Sequence, residues 1–145
     1  MGHIWPKATV LKCAEMLGGM ERIVEMTVTH VKERHQFGRP LGALQAVHHA
    51  CFEMATCLET TRLVTTQAAW LLSQGLPAAK ELAMAKAWCN DAYKKSAAIG
   101  HQLHGAIGFT EEHDMHLYSQ HAKASEMTFG TSWHHRSRVA DELGI

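Results

Sequence analysis

The stretch Glu33-Arg34-His35-Gln36-Phe37-Gly38-Arg39-Pro40-Leu41-Gly42, followed by Ala43-Leu44-Gln45, interrupts two long segments of helical periodicity. Upstream, Val10, Cys13, Ala14, Leu17, Met20, Val24, Val28 and Val31 recur at the 3.6-residue period and predict an amphipathic helix from Lys7 to His35. Downstream, Leu44, Val47, Cys51, Met54, Leu58, Val64, Ala68 and Leu71 predict a second from Gly42 to about Ser73. A corner between two long helices makes helix-on-helix packing the organising principle. Gly38 suits the end of the first helix, and Pro40 prevents its continuation. Such a corner gathers a guanidinium, an aromatic ring and free backbone groups, which suits a flat, phosphate-bearing ligand. The same residues equally describe a plain interhelical turn with Arg34 and Arg39 facing water.

Working outward, Pro6 is placed where a first-turn proline is tolerated. Gly18-Gly19 costs about 1 kcal/mol per glycine in a helix interior, so either the helix bends there or another backbone comes close. Gly75 and Pro77 mark a stop and a start. A third helix follows from Ala78 to Leu103, with Leu82, Ala85, Cys89, Ala92, Ile99 and Leu103 on one stripe. His101-Gln102-Leu103-His104-Gly105-Ala106-Ile107-Gly108-Phe109-Thr110 is a second glycine-rich corner, and Thr110 with Glu111 and Glu112 suits the start of a fourth helix through about Ser125. A short fifth runs from about Ser132 to Leu143. With no sustained period-two alternation, the chain reads as all-α: one domain over residues 1–145, an antiparallel four-helix bundle with a short additional C-terminal helix. The long helices also leave wide apolar faces that a partner bundle would cover.

Composition narrows the chemistry. Lysine plus arginine equals aspartate plus glutamate at 14 each, with no basic block, which argues against nucleic acid or an anionic membrane as partner. No apolar run reaches the ~18–20 residues of a membrane span. Cys13, Cys51, Cys57 and Cys89 lie in apolar stripes without Cys-x-x-Cys spacing, as small buried residues of a reduced, cytoplasmic protein would. Twelve histidines include the one-turn pairs His101/His104 and His113/His116, but no Glu-x-x-His or His-Glu-x-x-His occurs, so no metal site is expected. There is no Gly-x-Ser-x-Gly elbow, and Gly105-Ala106-Ile107-Gly108 follows a helix rather than a strand, which excludes a Rossmann turn.

Three stretches read together carry more than any one alone. The Glu33–Leu41 corner with Gln45, the His101–Thr110 corner, and Phe129-Gly130-Thr131 resemble, in order and spacing, the C-terminal helical domain of the acyl-CoA dehydrogenase family, across essentially the whole chain. The resemblance implies a bundle that packs into a homodimer or homotetramer, with flavin adenine dinucleotide (FAD) between domains and subunits. Arg34, Phe37, Gly38 and Gln45 would reach the adenosine diphosphate half of a cofactor held mainly by the neighbouring subunit. Gln102, His104, Gly105 and Ala106 would touch the same half, and Gly130 and Thr131 would lie close to the flavin of their own subunit. His104-Gly105-Ala106 departs mildly from the two successive glycines that family members often carry.

Catalysis is where the chain departs most. In many members the glutamate that removes the substrate α-proton immediately precedes the Gly-Thr pair, and here that position is Phe129. In others the base sits near the start of the first helix, about Ala8, where no acidic residue occurs. No catalytic residue is therefore assigned; Glu126, one turn before Phe129, and Glu15, two turns into the first helix, are the only substitutes, against a plain reading of both as solvated surface groups. The family's N-terminal helical and central β-domains have no counterpart here, so the resemblance implies a partial FAD site and a chain that is not a complete dehydrogenase alone. It would be a fragment, a truncated gene product or a subunit complementing another chain. The alternatives are an active subunit of a heteromeric FAD-dependent enzyme and a non-enzymatic interaction bundle.

Overall fold

The structure is a computed structural model that describes residues 4–145. Helix α1 spans Ile4–Glu33, with Pro6 in its first turn as the proline rule allows. It stops five residues before Gly38, because the chain turns at once into a small hairpin: β1 (His35–Gln36) pairs antiparallel with β2 (Arg39–Pro40). Phe37 and Gly38 form its tip at φ 56° and 76°, the pair of left-handed residues that a two-residue hairpin requires. Gly38 therefore shapes this tip and does not cap α1. The hairpin is tied down where Leu41 N–H donates to the Arg34 carbonyl at 2.8 Å.

Helix α2 covers Gln45–Ser73, three residues later than Gly42, since Leu41–Ala43 forms a separate 3-10 turn and Leu44 is extended. Helix α3 covers Ala79–His104, followed by a 3-10 turn at Gly105–Phe109. The fourth helix, α4, begins at Met115, not at Thr110, and runs to Met127. Thr110 fails as a cap because its hydroxyl donates backward to the Ile107 carbonyl (3.0 Å), while the Met115 N–H is taken by His113 Nδ1 at 3.1 Å. Helix α5 spans Ser132–Leu143 as the sequence indicates, with Thr131 Oγ1 accepting from the His134 N–H at its start.

Helices α1 to α4 run up, down, up, down, and α3 touches every other helix, α5 included. Its central place explains its composition: small Ala83, Ala85, Ala92 and Ala97 allow close approach, with Leu82, Cys89 and Tyr93 filling the middle. The buried face of α1 is rotated from the predicted stripe. Met16, Met20 and Ile23 are fully buried while Ala14 is exposed, because Thr9 and Thr27 also face inward and carry the seam. Thr9 tolerates this by donating to the Trp5 carbonyl (2.9 Å). Cys13, Cys57 and Cys89 are buried and Cys51 half-buried, all as free thiols. Gly19 does mark a close approach, but of a side chain: a Cβ there would lie 2.1 Å from Tyr93 Oη.

Candidate functional site

The bundle sorts the predicted residues into two groups. At one end, the C-termini of α1 and α3 lie side by side, shown by the rings of His30 and His104 stacked at 4.4 Å. This places the Arg34–Gln45 corner beside the Gln102–Ala106 corner. Phe37 is 86% exposed, held outward by a left-handed backbone that an aromatic residue seldom adopts. Arg34, Gly38 and Gln45 are exposed as well, and α2 starts on Leu44 without a side-chain cap, which leaves its first amides without a side-chain partner. Gln102, Gly105 and Ala106 are exposed, whereas His104 is buried. Gly105 caps α3 at φ 66°, ψ −143°, and Ala106 sits in the following 3-10 turn, so the departure at Ala106 leaves the corner's backbone intact.

His104 faces inward and is 6% exposed, at the floor of a surface pocket that His30 and His113 also line. Its Nδ1 bonds to the Gly100 carbonyl at 2.8 Å, and Nε2 is buried without a partner under His30 and His113, whose rings lie 4.4 and 4.6 Å away. Burial pushes the pKa of both His30 and His104 below the ordinary value. Among the described residues no three His, Cys, Asp or Glu side chains are arranged to hold a metal ion.

The third predicted element is at the opposite end. Phe129 and Gly130 have φ of 59° and 107°, and the Phe129 ring packs edge-on against Trp5 at 5.1 Å. A Cβ on Gly130 would meet His135 Nε2 at 2.8 Å, so only glycine fits. Left-handed backbone at a non-glycine residue costs of order 1–3 kcal/mol and persists only when its surroundings hold it. Here they do: His135 Nε2–H donates to the Phe129 carbonyl (2.8 Å), and Asn90 Nδ2–H and Lys86 Nζ–H both donate to the Gly130 carbonyl (3.2 and 3.3 Å). Ser132 and Arg136 anchor the start of α5 to Asp91.

Lys86 and Asn90 were not among the predicted site residues. Their signal was nevertheless present, since positions 86 and 90 continue the inward register of Leu82 and Tyr93, and a lysine there must find oxygen acceptors.

Neither substitute base is free. Glu126 is no solvated surface residue: it is 9% exposed and its carboxylate takes Lys94 (2.6 Å) and Lys123 (3.0 Å), which hold its pKa low. Glu15 is bonded to Lys12 (3.0 Å) and His121 (2.6 Å), which also hold it low. Ten residues of α1 put it about 15 Å beyond Trp5, the residue that touches Phe129.

Residues 9–144 match the sequence profile of the acyl-CoA dehydrogenase C-terminal domain. The chain is 38% identical over 118 residues to the acyl-CoA dehydrogenase IpdE2 of Mycobacterium tuberculosis, covering 81% of this chain and 36% of that protein. It is 35% identical over 119 residues to the mitochondrial short/branched chain specific acyl-CoA dehydrogenase of Bos taurus, covering 82% and 28%. Among solved structures, the ChsE4-ChsE5 complex of M. tuberculosis superposes with a TM-score of 0.92 at 31% identity, over 97% of this chain and 38% of that one. A PigA structure with FAD and proline superposes with a TM-score of 0.93 at 27% identity, over 97% and 37%. The chain thus spans about a third of the length of the curated relatives it matches. By this match, and by a bundle whose corners fall where the three sequence stretches require, the chain belongs to the acyl-CoA dehydrogenase family, over that family's C-terminal domain.

Proposed function

We propose that this chain supplies one part of an FAD site completed by a second copy or a partner chain, and packs its helices into that assembly. The observation that carries the reading is that the fold brings Arg34–Gln45 and Gln102–Ala106 to one end of the bundle, with Phe37 held out into solvent. The donor set fits the adenosine diphosphate half: a guanidinium for pyrophosphate oxygens, uncapped amides at a helix start, and a ring face for adenine. His104 is largely buried and its ring packs α3 against α1, so in this reading the exposed Gln102, Gly105 and Ala106 carry the contact at that corner. Gly130 and Thr131, at the far end, would face the flavin of a different cofactor.

When bound, the flavin supplies a hydride acceptor. The chain's own part is to bind and to orient, because Phe129 offers no base and Glu15 and Glu126 are committed to cations. Removal of a substrate proton therefore falls to a residue outside this chain. That consequence supports a second reading, in which the chain is the non-catalytic subunit of a heteromeric dehydrogenase. Exposed Phe52, Leu63 and Trp70 on α2, with Met84 and Trp88 on α3, give an apolar surface for either arrangement.

Titration of the purified protein with FAD, followed by flavin fluorescence, tests the first reading. Saturable quenching is expected, and Arg34→Ala should weaken it by about 1.5–3 kcal/mol, since hydrogen bonds to charged groups are worth that much. A colourless protein with no saturable uptake, alone and mixed with a full-length family member, would overturn it.

A further inference from the structure

The turn at Phe129-Gly130-Thr131 is held from below by a buried cation. Lys86 is fully buried (0% exposed), and its three ammonium protons meet three acceptors: Asn90 Oδ1 (2.5 Å), the Ser125 carbonyl (3.0 Å) and the Gly130 carbonyl (3.3 Å). Among the described residues it forms no ion pair; its partners are an amide and two backbone oxygens. Ser125 O lies in the last turn of α4, where it also accepts the Thr128 N–H at 3.2 Å, and Gly130 O belongs to the left-handed turn. One side chain on α3 thus ties the end of α4 to the turn that leads into α5.

We infer that Lys86 is the positioning residue of this turn, fixing the Gly130 carbonyl and with it Thr131, and that its buried charge, with no direct ion-pair partner among the described residues, favours an electron-rich ligand lying against the turn. The first half stands on the hydrogen bonds alone. The second half rests on the proposed placement of Gly130 and Thr131 against a flavin, and specifies that the turn stabilises the reduced, electron-rich form over the oxidised one. Asn90 has the complementary role: it accepts from Lys86 and donates its own amide to Gly130 O, so the two side chains grip one carbonyl from two directions.

Two variants separate clamp from charge. Lys86→Met keeps the bulk and removes both, whereas Asn90→Asp keeps the lysine and an acceptor for its ammonium, adds a neutralising charge, and gives up only the Nδ2–H donor to the Gly130 carbonyl. Hydrogen exchange reads the clamp at the Thr128, His134 and His135 amides, which bond to Ser125 O, Thr131 Oγ1 and Thr131 O. In Lys86→Met these should exchange at least about tenfold faster while amides in the middle of α2 keep their wild-type rates. In Asn90→Asp, which loses one of the two donors to the Gly130 carbonyl but keeps the lysine, they should loosen clearly less than in Lys86→Met. Wild-type rates in Lys86→Met, or equal loosening in both variants, would overturn the clamp. Should Lys86→Met not fold, nitrogen NMR of the wild-type lysine decides: a slowly exchanging, protonated Nζ at neutral pH supports the clamp, and a neutral amine overturns it. In protein loaded with FAD, the flavin midpoint potential should shift negative in both variants. An unchanged potential alongside loosened amides leaves the clamp standing and overturns the placement of this turn against the flavin.

Discussion

Gly18 and Gly19 are neighbours in sequence with opposite surroundings. Nothing lies within 4 Å of a Cβ at Gly18, so Gly18→Ala only raises helix propensity and should stabilise the protein by about 0.5–1 kcal/mol. At Gly19 the same methyl would overlap Tyr93 Oη. Tyr93 is fully buried and its hydroxyl bonds to His121 Nδ1 at 3.0 Å, which leaves the ring little freedom to retreat. Gly19→Ala should therefore cost about 1–3 kcal/mol by overpacking. Paired urea denaturation curves check both signs; equal effects at the two positions would refute the side-chain explanation of this glycine pair. The sequence marked the pair as special but did not distinguish its members, because only the helix's rotation relative to α3 tells which glycine faces inward.

At the scale of elements, the long helices were legible because each repeats its apolar period over seven or eight turns, and that signal survives the rotation error in α1. Short elements were not. The two-residue β1–β2 hairpin is too brief for any period, and Phe37 at positive φ is a choice that local propensity opposes. The start of α4 was misplaced for a related reason: Thr110 is a good cap type, but its hydroxyl found the Ile107 carbonyl first. Thr131 is the contrasting case, a cap of the same type that does accept from its helix, at 3.3 Å from His134 N. Thr131→Ala should cost about 1 kcal/mol, and Thr131→Ser should recover most of it, whereas Thr110→Ala should change stability by less than about 0.5 kcal/mol. Thermal melts of the three variants check the distinction. The clamp at Lys86 escaped the sequence reading because a lysine in a helical stripe is ordinarily solvated, and two of its three acceptors come from residues some 40 positions away.

For the molecule as a whole, buried imidazoles set the response to pH. His30, His101, His104 and His135 all have pKa values pushed below the ordinary 6.5, chiefly by burial. A depressed folded-state pKa means the unfolded chain takes up protons more readily, so this stability is present above pH 6.5 and is lost as pH falls through the folded values. Depressed Glu15 and Glu126 act in the same direction, but only below their ordinary 4.5. The melting temperature should thus fall between about pH 7 and pH 5, and His104→Gln should make that slope shallower. The same whole-molecule geometry bears on cofactor binding. From Lys86 to His104, α3 rises about 27 Å, and that length separates the Gly130 turn from the paired corners at the other end. In the proposed site the corners offer arginine and a helix start to the phosphates, while Gly130 and Thr131, at the other end, are the residues set against a flavin. On the proposed reading a single copy offers only part of each contact set, which couples cofactor binding to association. Apparent FAD affinity should rise with protein concentration over the range in which sedimentation shows the chain assembling with itself or with an added partner. A dissociation constant independent of protein concentration, measured with a sedimenting monomer, would mean that one end of the bundle suffices and would refute the composite site.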